Sequence, residues 1–404
     1  MGRRPGPARL AGRVRPRTEP AAGGHGAPAP AAGHAAGGGA GTVKVATVAV
    51  CRYSVPLRTP LLTARGPVRA REGLLVRLLT DEGVVGHGEA APHPHDRRGV
   101  RSLLDALGAL APVLRAMPLA DVPSAASRLP PPLAFALETA ALDALARAQG
   151  VPLASLLADD VRQAVTVNAL VAARDPCQCA RQAAEAVAQG FRCLKLKVGA
   201  LPLERDVARL RAVREAVGDR AALRLDANGA WSPQEAAQAL AALAPFGLEY
   251  VEQPLPPGRW REMARLRRDS GVAIAADEDV TGPEAISALL EAGAADVLVL
   301  KPAVVGGLGR ALECVRLCRR AGARAVVTTT LETAIGTAAA LHLAAVLPWG
   351  LAAGLGALAL LAGDLASGRL QPRDGLLHLP AAPGLGVEPD ADDLARHCDG
   401  WTAF

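Results

Sequence analysis

Short apolar runs recur through the second half of the chain and alternate with longer stretches rich in Ala, Leu and Arg. Such runs are typical of strands buried on both faces, whereas the longer stretches have the apolar periodicity of amphipathic helices. One strand and one helix about every 25 residues predict a (β/α) barrel, whose eight units fill about 250 residues. The predicted strands lie at 165–171, 193–198, 223–225, 248–251, 272–276, 297–300, 325–330 and 351–355, and the predicted helices at 176–189, 203–216, 232–245, 258–269, 282–292 and 307–321.

The first part of the chain has a different pattern. Val43–Val50 alternates between polar and apolar residues, and Gly73–Leu79 and Val84–Glu89 flank a turn, so a strand followed by a hairpin is predicted. Two Ala- and Leu-rich helices are predicted at 100–117 and 131–149. Together these elements are typical of a small α+β domain.

The pattern therefore divides the chain into regions. We predict an Arg-, Ala-, Gly- and Pro-rich tail at 1–42, an α+β capping domain at 43–150 and a (β/α) barrel domain at 151–365. The segment 366–404 resembles neither kind of unit. We expect it to pack back against the capping domain and complete it.

The tail accounts for most of the positive charge. It carries six Arg and one acid, which is +5 of the formal net charge of +6. Because the excess of positive charge lies there, and because the chain has only ten aromatic residues, nucleic-acid binding is not predicted. The tail is predicted to be disordered and lacks the apolar core of a signal peptide. We expect a cytoplasmic location, and a plastid location stays open if the tail is a transit peptide.

Residues 333–363 contain no Asp, Glu, Lys or Arg, which is a length that could span a bilayer. His342, Pro348 and several glycines interrupt the stretch, so we interpret it as a buried barrel helix followed by an internal strand, and no membrane partner is expected. The seven cysteines are scattered without zinc-site spacing and predict buried or incidental thiols in a reducing compartment.

Charged residues stand at or near the ends of five successive predicted strands. They follow one another at intervals of 29, 26, 25 and 24 residues: Lys197, Asp226, Glu252, Asp277 and Lys301. In a barrel, the carboxyl ends of the strands meet at one mouth, so these side chains should lie close together. Three carboxylates suit Mg²⁺, and a lysine beside them is a candidate base. A network of ion pairs is the alternative, since with Lys195 the three acids and three lysines cancel in charge.

The residues around these positions resemble the enolase superfamily, in the subgroup that includes muconate cycloisomerase. The resemblance extends over about 43–390 and is carried by Leu194-Lys195-Leu196-Lys197-Val198-Gly199, Leu225-Asp226-Ala227-Asn228-Gly229, Val251-Glu252-Gln253-Pro254, Ala276-Asp277-Glu278, Leu300-Lys301-Pro302, Arg71-Glu72-Gly73, Gly86-His87-Gly88-Glu89 and Ala140-Ala141-Leu142-Asp143. It implies a modified barrel of enolase type with an N-terminal α+β capping domain.

The resemblance also implies roles for the charged residues. Asp226, Glu252 and Asp277 match three ligands of Mg²⁺, for which Mn²⁺ is expected to substitute. Lys197 matches a base on one face of the substrate and Lys301 a lysine on the other face. Two further residues, Lys195 and Asn228, match supporting positions.

The chain departs from the family pattern after the third predicted ligand. Members of the family often have Ser after the Asp-Glu pair, and this chain has Asp279. Use of Glu278 or Asp279 in place of Asp277 therefore stays open.

We expect the substrate to be a small carboxylate, and the sequence constrains its identity less. The strand-eight segment Gly354–Leu361 lacks the two acids with which dipeptide epimerases hold a substrate ammonium. The pattern most resembles o-succinylbenzoate synthases, lyases that dehydrate 2-succinyl-6-hydroxy-2,4-cyclohexadiene-1-carboxylate in menaquinone or phylloquinone biosynthesis. The expected substrate-binding residues are Arg71, Thr329, Glu332 and Gly354.

Other activities stay open on the sequence. Within the superfamily these are N-acylamino acid racemase, dipeptide epimerase and muconate cycloisomerase. A non-catalytic barrel and a phosphate-binding barrel are alternatives from other classes. Assembly into a homo-oligomer also stays open.

Overall fold

The structure is a computed structural model that describes residues 42–63, 66–94, 96, 99–366 and 370–404. The predicted tail, apart from Thr42, lies outside the described residues. The strands are, in chain order, β1 (Val45–Thr63), β2 (Gly66–Thr80), β3 (Val85–Ala90), β4 (Ala164–Thr166), β5 (Ala169–Val171), β6 (Cys193–Lys197), β7 (Ala222–Asp226), β8 (Leu248–Glu252), β9 (Ile274–Ala276), β10 (Val297–Leu300), β11 (Arg324–Val327), β12 (Leu376–His378) and β13 (Cys398–Ala403).

The helices of the described residues alternate with these strands after residue 170. They are α1 (Gly99–Leu114), α2 (Val122–Ala126), α3 (Pro131–Ala148), α4 (Ala154–Leu157), α5 (Pro176–Ala188), α6 (Leu203–Val217), α7 (Pro233–Leu243), α8 (Trp260–Ser270), α9 (Pro283–Glu291), α10 (Pro302–Val305), α11 (Leu308–Arg320), α12 (Ala334–Ala345) and α13 (Ala391–His397).

The N-terminal elements form an antiparallel sheet in the order β13-β1-β2-β3. The predicted hairpin is confirmed, since β2 pairs with β3. β1 is much longer than predicted because it continues through Pro56 and Pro60, where the alternation breaks and its register with β2 shifts. As expected, the C-terminal segment returns to this sheet, because β13 pairs with β1. The exact domain limits stay a prediction.

Helix α3 packs very closely on β3, and two glycines make this approach feasible. A Cβ on Gly86 would lie 2.0 Å from the Ala140 carbonyl oxygen, and one on Gly88 would lie 1.9 Å from the Ala136 oxygen. Neither distance is tolerable against backbone, so the Gly-x-Gly pattern on β3 is a packing requirement. The contact fixes the capping sheet against α3, which also reaches the barrel.

The second half of the chain is a curled parallel sheet in the order β11-β10-β9-β8-β7-β6-β5. Every predicted strand and helix from 176 to 327 overlaps an observed one. A (β/α) barrel sheet with an N-terminal α+β cap is thereby confirmed. All seven strands place their carboxyl ends at one edge, which is where the predicted charged residues lie.

Strands one and eight of the predicted barrel differ from expectation. Residues 165–171 form two short strands instead of one, and β4 pairs with β12 instead of with the barrel. The predicted strand at 351–355 was wrong: only isolated bridges, Val167 with Ala353 and Thr328 with Gly354, close the ring there. Gly354 packs so tightly that its Cβ would lie 2.3 Å from Thr328 Oγ1. Apolar composition alone did not reveal this irregular closure.

The stretch 333–363 contains the helix expected of it but no regular strand. All twelve residues of α12 are buried, which explains the lack of charge. A 3₁₀ helix, Gly356–Leu360, follows in place of the internal strand. Among the described residues, none of the helices has both the length and the apolarity needed to cross a membrane.

Candidate active site

Lys195, Lys197, Asp226 and Glu252 meet at the ends of three adjacent strands. The parallel register places Lys197 beside Asp226 and Asp226 beside Glu252. Lys197 Nζ lies 2.7 Å from Asp226 Oδ2, and Lys195 Nζ lies 2.9 Å from the same oxygen and 2.6 Å from Glu252 Oε1. Alternate residues of a strand share a face, so Lys195 and Lys197 both face the barrel interior and the same acid.

Asp277 and Lys301 extend this row across the next two strands. Asp277 follows β9, Lys301 follows β10, and Lys301 Nζ lies 2.6 Å from Asp277 Oδ1 and 2.7 Å from Oδ2. The structure thus brings together all five residues predicted from the spacing. The lysines Lys197 and Lys301 stand at the two ends of the row, and the three carboxylates lie on the strands between them.

Two residues beside the carboxylates adopt the left-handed backbone conformation, which is uncommon for residues other than glycine. Asn228 has φ of 47° and Gln253 has φ of 40°. Asn228 Oδ1 accepts a hydrogen bond from Lys197 Nζ at 2.6 Å, and the Gln253 side-chain oxygen accepts one from the Asp277 backbone N–H at 2.9 Å. Such backbone strain concentrates at functional sites and persists where surrounding contacts hold it.

Burial and charge shift the ionisation of this cluster. Burial and the carboxylate of Asp226 raise the pKa of Glu252 to about 8. Burial opposes ionisation of Asp226 too, but the ammonium groups of Lys195 and Lys197 hold the pKa of Asp226 below its ordinary value. Burial would lower the pKa values of Lys195 and Lys301, yet Glu252 and Asp277, respectively, raise them. The carboxylates are therefore crowded, and Glu252 shares its lysine, Lys195, with Asp226.

The resemblance implies a divalent cation, so the fit of these residues to Mg²⁺ is a structural question. Among the described residues, no three His, Cys, Asp or Glu side chains are arranged around one ion, because the acids face lysine ammonium groups. The donor set still fits. The three carboxylates are at most 6% exposed, and Asp277 Oδ1 is buried without a directional hydrogen bond even though Lys301 is within ion-pair distance. Rotation of the acids away from the lysines would free oxygen ligands of the kind Mg²⁺ prefers.

The structure distinguishes Asp279 and Glu278 from Asp277. Asp279 is buried and accepts hydrogen bonds from the Gln253 side chain at 2.9 Å, the Gly258 backbone at 2.7 Å and the Trp260 indole at 2.8 Å. These three donors engage both of its oxygens in holding the loop after β8. Glu278 is exposed and accepts from the Asn228 side chain. Asp277 is thus the residue of the three that continues the carboxylate row.

Two of the four predicted substrate-binding residues, Arg71 and Glu332, lie elsewhere, in a second polar cluster between the capping sheet and the end of β11. The Arg71 guanidinium is buried, donates to the carbonyl oxygens of Ala91 and Pro92, and lies 3.4 Å from Thr330 Oγ1. Glu332 is also buried and accepts from the backbone and side chain of Thr330.

Thr329 and Gly354, the other two predicted substrate contacts, have different surroundings. The Thr329 hydroxyl is buried without a hydrogen-bond partner among the described residues. Gly354 has no side chain, and this allows Thr328 to pack closely against it. Substrate contact by these four residues therefore stays a prediction.

Sequence reasoning missed the centre of this second cluster. Glu89 is fully buried and accepts hydrogen bonds from the Tyr53 hydroxyl at 2.5 Å, the Thr333 hydroxyl at 2.6 Å and the Gly336 backbone at 2.8 Å. Burial, with the charge of Glu332 nearby, raises the pKa of Glu89. The only signal in the sequence was an acid at the end of the Gly-x-Gly strand, since its partners lie 36 to 247 residues away.

The geometry defines a class of enzyme in which a capped barrel presents carboxylates and lysines at its mouth. The family model described as enolase C-terminal domain-like matches residues 178–394, and that of the mandelate racemase / muconate lactonizing enzyme N-terminal domain matches residues 45–158. The chain belongs to the enolase superfamily, which confirms the enolase type predicted for its capped barrel.

Individual relatives have different activities. The chain is 32% identical to muconate cycloisomerase 1 of Pseudomonas putida over 86% of this chain and 96% of that protein. It is 37% identical to an o-succinylbenzoate synthase of Desulfotalea psychrophila, but over only 52% of this chain and 57% of that protein. A solved dipeptide epimerase of Enterococcus faecalis, complexed with Mg and the dipeptide L-Leu-L-Tyr, superposes with a TM-score of 0.80 at 29% identity, covering 85% of this chain and 99% of that chain.

Proposed function

We propose that this protein is a Mg²⁺-dependent o-succinylbenzoate synthase. The observation that carries the proposal is the order of groups along five adjacent strand ends, with a lysine at each end and three buried carboxylates between them. A carboxylate substrate seated above the three acids would have one lysine on each face. This arrangement suits removal of a proton next to a carboxylate group.

The chain's own residues supply the proton transfers. Lys197, as the neutral amine, takes the proton from the carbon next to the substrate carboxylate, and the electron pair of that C–H bond passes into an enediolate. Mg²⁺ held by Asp226, Glu252 and Asp277 would stabilise the negative charge of this enediolate. The Lys197 ammonium then gives its proton to the departing hydroxyl group, which leaves as water while the ring becomes aromatic. The Lys301 ammonium faces the other side and stabilises the enediolate as a cation.

The substrate assignment rests on the segment after β11 and on the family pattern. Residues 354–361 contain no acid, so a substrate ammonium group would have no partner there. This disfavours a dipeptide, although a dipeptide epimerase is a structural neighbour. Muconate cycloisomerase is the second candidate, because the relative of that name matches nearly its whole length. N-acylamino acid racemisation is a third activity for which two opposed lysines would serve.

The decisive experiment gives the purified protein each candidate substrate with Mg²⁺. We expect the cyclohexadiene carboxylate to yield the aromatic product, chelation to stop turnover, and Mg²⁺ or Mn²⁺ to restore it. Faster turnover of cis,cis-muconate would favour the second candidate. Full activity in excess chelator would contradict the metal assignment.

Reaction in deuterated water separates dehydration from racemisation. In a racemase each lysine exchanges a proton with the α-carbon, so deuterium enters both enantiomers of an N-acylamino acid. In the synthase, Lys197→Ala should abolish turnover, whereas Lys301→Arg keeps the charge and should retain part of it. Equal loss in both variants would indicate that Lys301 transfers protons. A cytoplasmic location and small-molecule partners are part of the same proposal, and nothing in the three relatives supports a plastid.

A further inference from the structure

A buried ion pair on α6 lies directly behind the end of β6. Asp206 and Arg209 are one helical turn apart, are 2% and 4% exposed, and pair at 2.7 Å. Both face the strand ends instead of the solvent. The roles implied by the resemblance include neither residue, and neither belongs to the carboxylate and lysine row.

The pair binds the backbone of the predicted base itself. Arg209 Nη1 donates to the Lys197 carbonyl oxygen at 2.9 Å, and Arg209 Nε donates to the Ala173 oxygen, just beyond β5, at 3.1 Å. Asp206 Oδ2 accepts from the Gly199 backbone N–H at 2.8 Å. One ion pair thus fixes the turn on which Lys197 stands and ties it to the neighbouring strand.

Burial of two charges needs a reason other than stability. Replacing a buried ion pair by apolar side chains is often neutral for stability, so such a pair is weak evidence of a stabilising role. Here the two charges bind backbone groups on either side of the Lys197 peptide, and these groups determine the point from which the Lys197 side chain extends. The far end of the same side chain is held by Asp226 and Asn228, at 2.7 and 2.6 Å.

We infer that Asp206 and Arg209 are positioning residues for Lys197: they fix its backbone so that its amine meets the substrate in reactive geometry. The kinetic part of this inference rests on the proposed function, in which Lys197 is the base. A shift of about 1 Å in a reacting group costs on the order of 100-fold in rate. Loss of the pair should therefore reduce proton transfer more than binding.

The kinetic test compares Arg209→Met with Arg209→Lys. We expect Arg209→Met to lower kcat by about 10- to 100-fold with KM changed by less than about threefold. Mg²⁺ affinity should stay close to wild type, because the three carboxylates lie on other strands. Arg209→Lys restores one charged donor and should recover part of kcat. Unchanged kcat, or a parallel loss of kcat, Mg²⁺ affinity and melting temperature, would overturn the inference.

Arg396 provides a matched control. It pairs with Asp393 at the same i, i+3 spacing and at 2.8 Å, but on α13 and with a side chain that is 62% exposed. Arg396→Met should leave kcat unchanged. A loss like that of Arg209→Met would show that removal of any such arginine disturbs the enzyme, which would also overturn the inference.

Backbone amide exchange tests the structural part without any substrate. The Gly199 N–H bonds Asp206, and the Val198 N–H bonds the Asp226 carbonyl oxygen at 2.9 Å, so both report on the turn after Lys197. Arg209→Met should speed exchange at these two amides and leave the middle of β6 unchanged. Faster exchange confined to α6 would assign the pair to the helix alone and refute positioning. If wild type turns over none of the candidate substrates, the proposed function fails and this measurement alone decides the inference.

Discussion

Replacing Glu252 by Gln should make the metal-free protein more stable, although it removes an ion pair. Glu252 is 2% exposed, and burial together with Asp226 raises its pKa to about 8. The pKa of a glutamate in the unfolded chain is near 4.5. Folding therefore favours the protonated acid, and stability falls as pH rises from about 4.5 to about 8. A glutamine does not ionise and is free of this loss.

The pKa gives an upper limit for the effect. Each pKa unit corresponds to about 1.4 kcal/mol, so the ionised Glu252 destabilises the metal-free fold by at most about 5 kcal/mol above pH 8. In the variant, the carboxylate 2.6 Å from Lys195 becomes a neutral amide, and the weaker interaction offsets part of the gain. We expect a net gain of about 1 to 3 kcal/mol, or a few degrees in melting temperature, that grows between about pH 6 and 8.

Mg²⁺ should reverse the order of stability of wild type and Glu252→Gln, which unfolding with and without the metal measures. Saturation at about 100 times the dissociation constant stabilises a binding protein by about 2.7 kcal/mol. Wild type should gain such stability with Mg²⁺, and Glu252→Gln should gain little and lose turnover. Glu249 is the control on the same strand, because it pairs with Arg224 at 2.6 Å outside the carboxylate row. Glu249→Gln should destabilise the protein between about pH 6 and 8 and keep its response to Mg²⁺.

The opposite outcome would refute the metal assignment. If Glu252→Gln is less stable than wild type in chelator across this pH range, and Mg²⁺ stabilises both proteins equally, Glu252 is a structural partner of Lys195. The row of acids and lysines would then be the ion-pair network that the sequence left open.

Three further predictions concern the frame around the site. Burial lowers the pKa of His342 to about 4, so the folded protein binds a proton less readily than the unfolded chain. The free energy of unfolding should therefore decrease as pH falls below 6.5, by about 2 kcal/mol at about pH 5, and the decrease should be smaller in His342→Gln. Gly336→Ala places a Cβ 2.7 Å from Glu332 Cβ and should cost about 1 to 3 kcal/mol in unfolding, whereas Gly350→Ala, with nothing within 4 Å, should be neutral. Glu138 accepts from the first two N–H groups of α11, at 2.6 and 3.0 Å, so Glu138→Ala should cost about 1 kcal/mol, and an unchanged unfolding midpoint would contradict that capping role.

The sequence by itself determined the barrel and the row of charged groups. Buried parallel strands are short apolar runs, and their carboxyl ends meet at one edge whatever the details of the loops. The intervals from Lys197 to Lys301 were therefore enough to predict that five residues would lie together. The capping hairpin followed equally well from local alternation around a turn.

Only the tertiary structure decided how the ring closes and what holds the site in place. The run at 351–355 is apolar enough for a strand. In the structure, however, Gly354 forms only an isolated bridge with Thr328 and packs closely on it, and this contact cannot be predicted from the local sequence. Arg71, whose contact with substrate stays a prediction, is buried and donates to carbonyl oxygens about 20 residues away. Arg209 reaches Lys197 and Ala173 only because α6 lies across two strand ends. Periodicity reports which face of an element is buried, whereas the partner of a buried polar group depends on how distant elements pack.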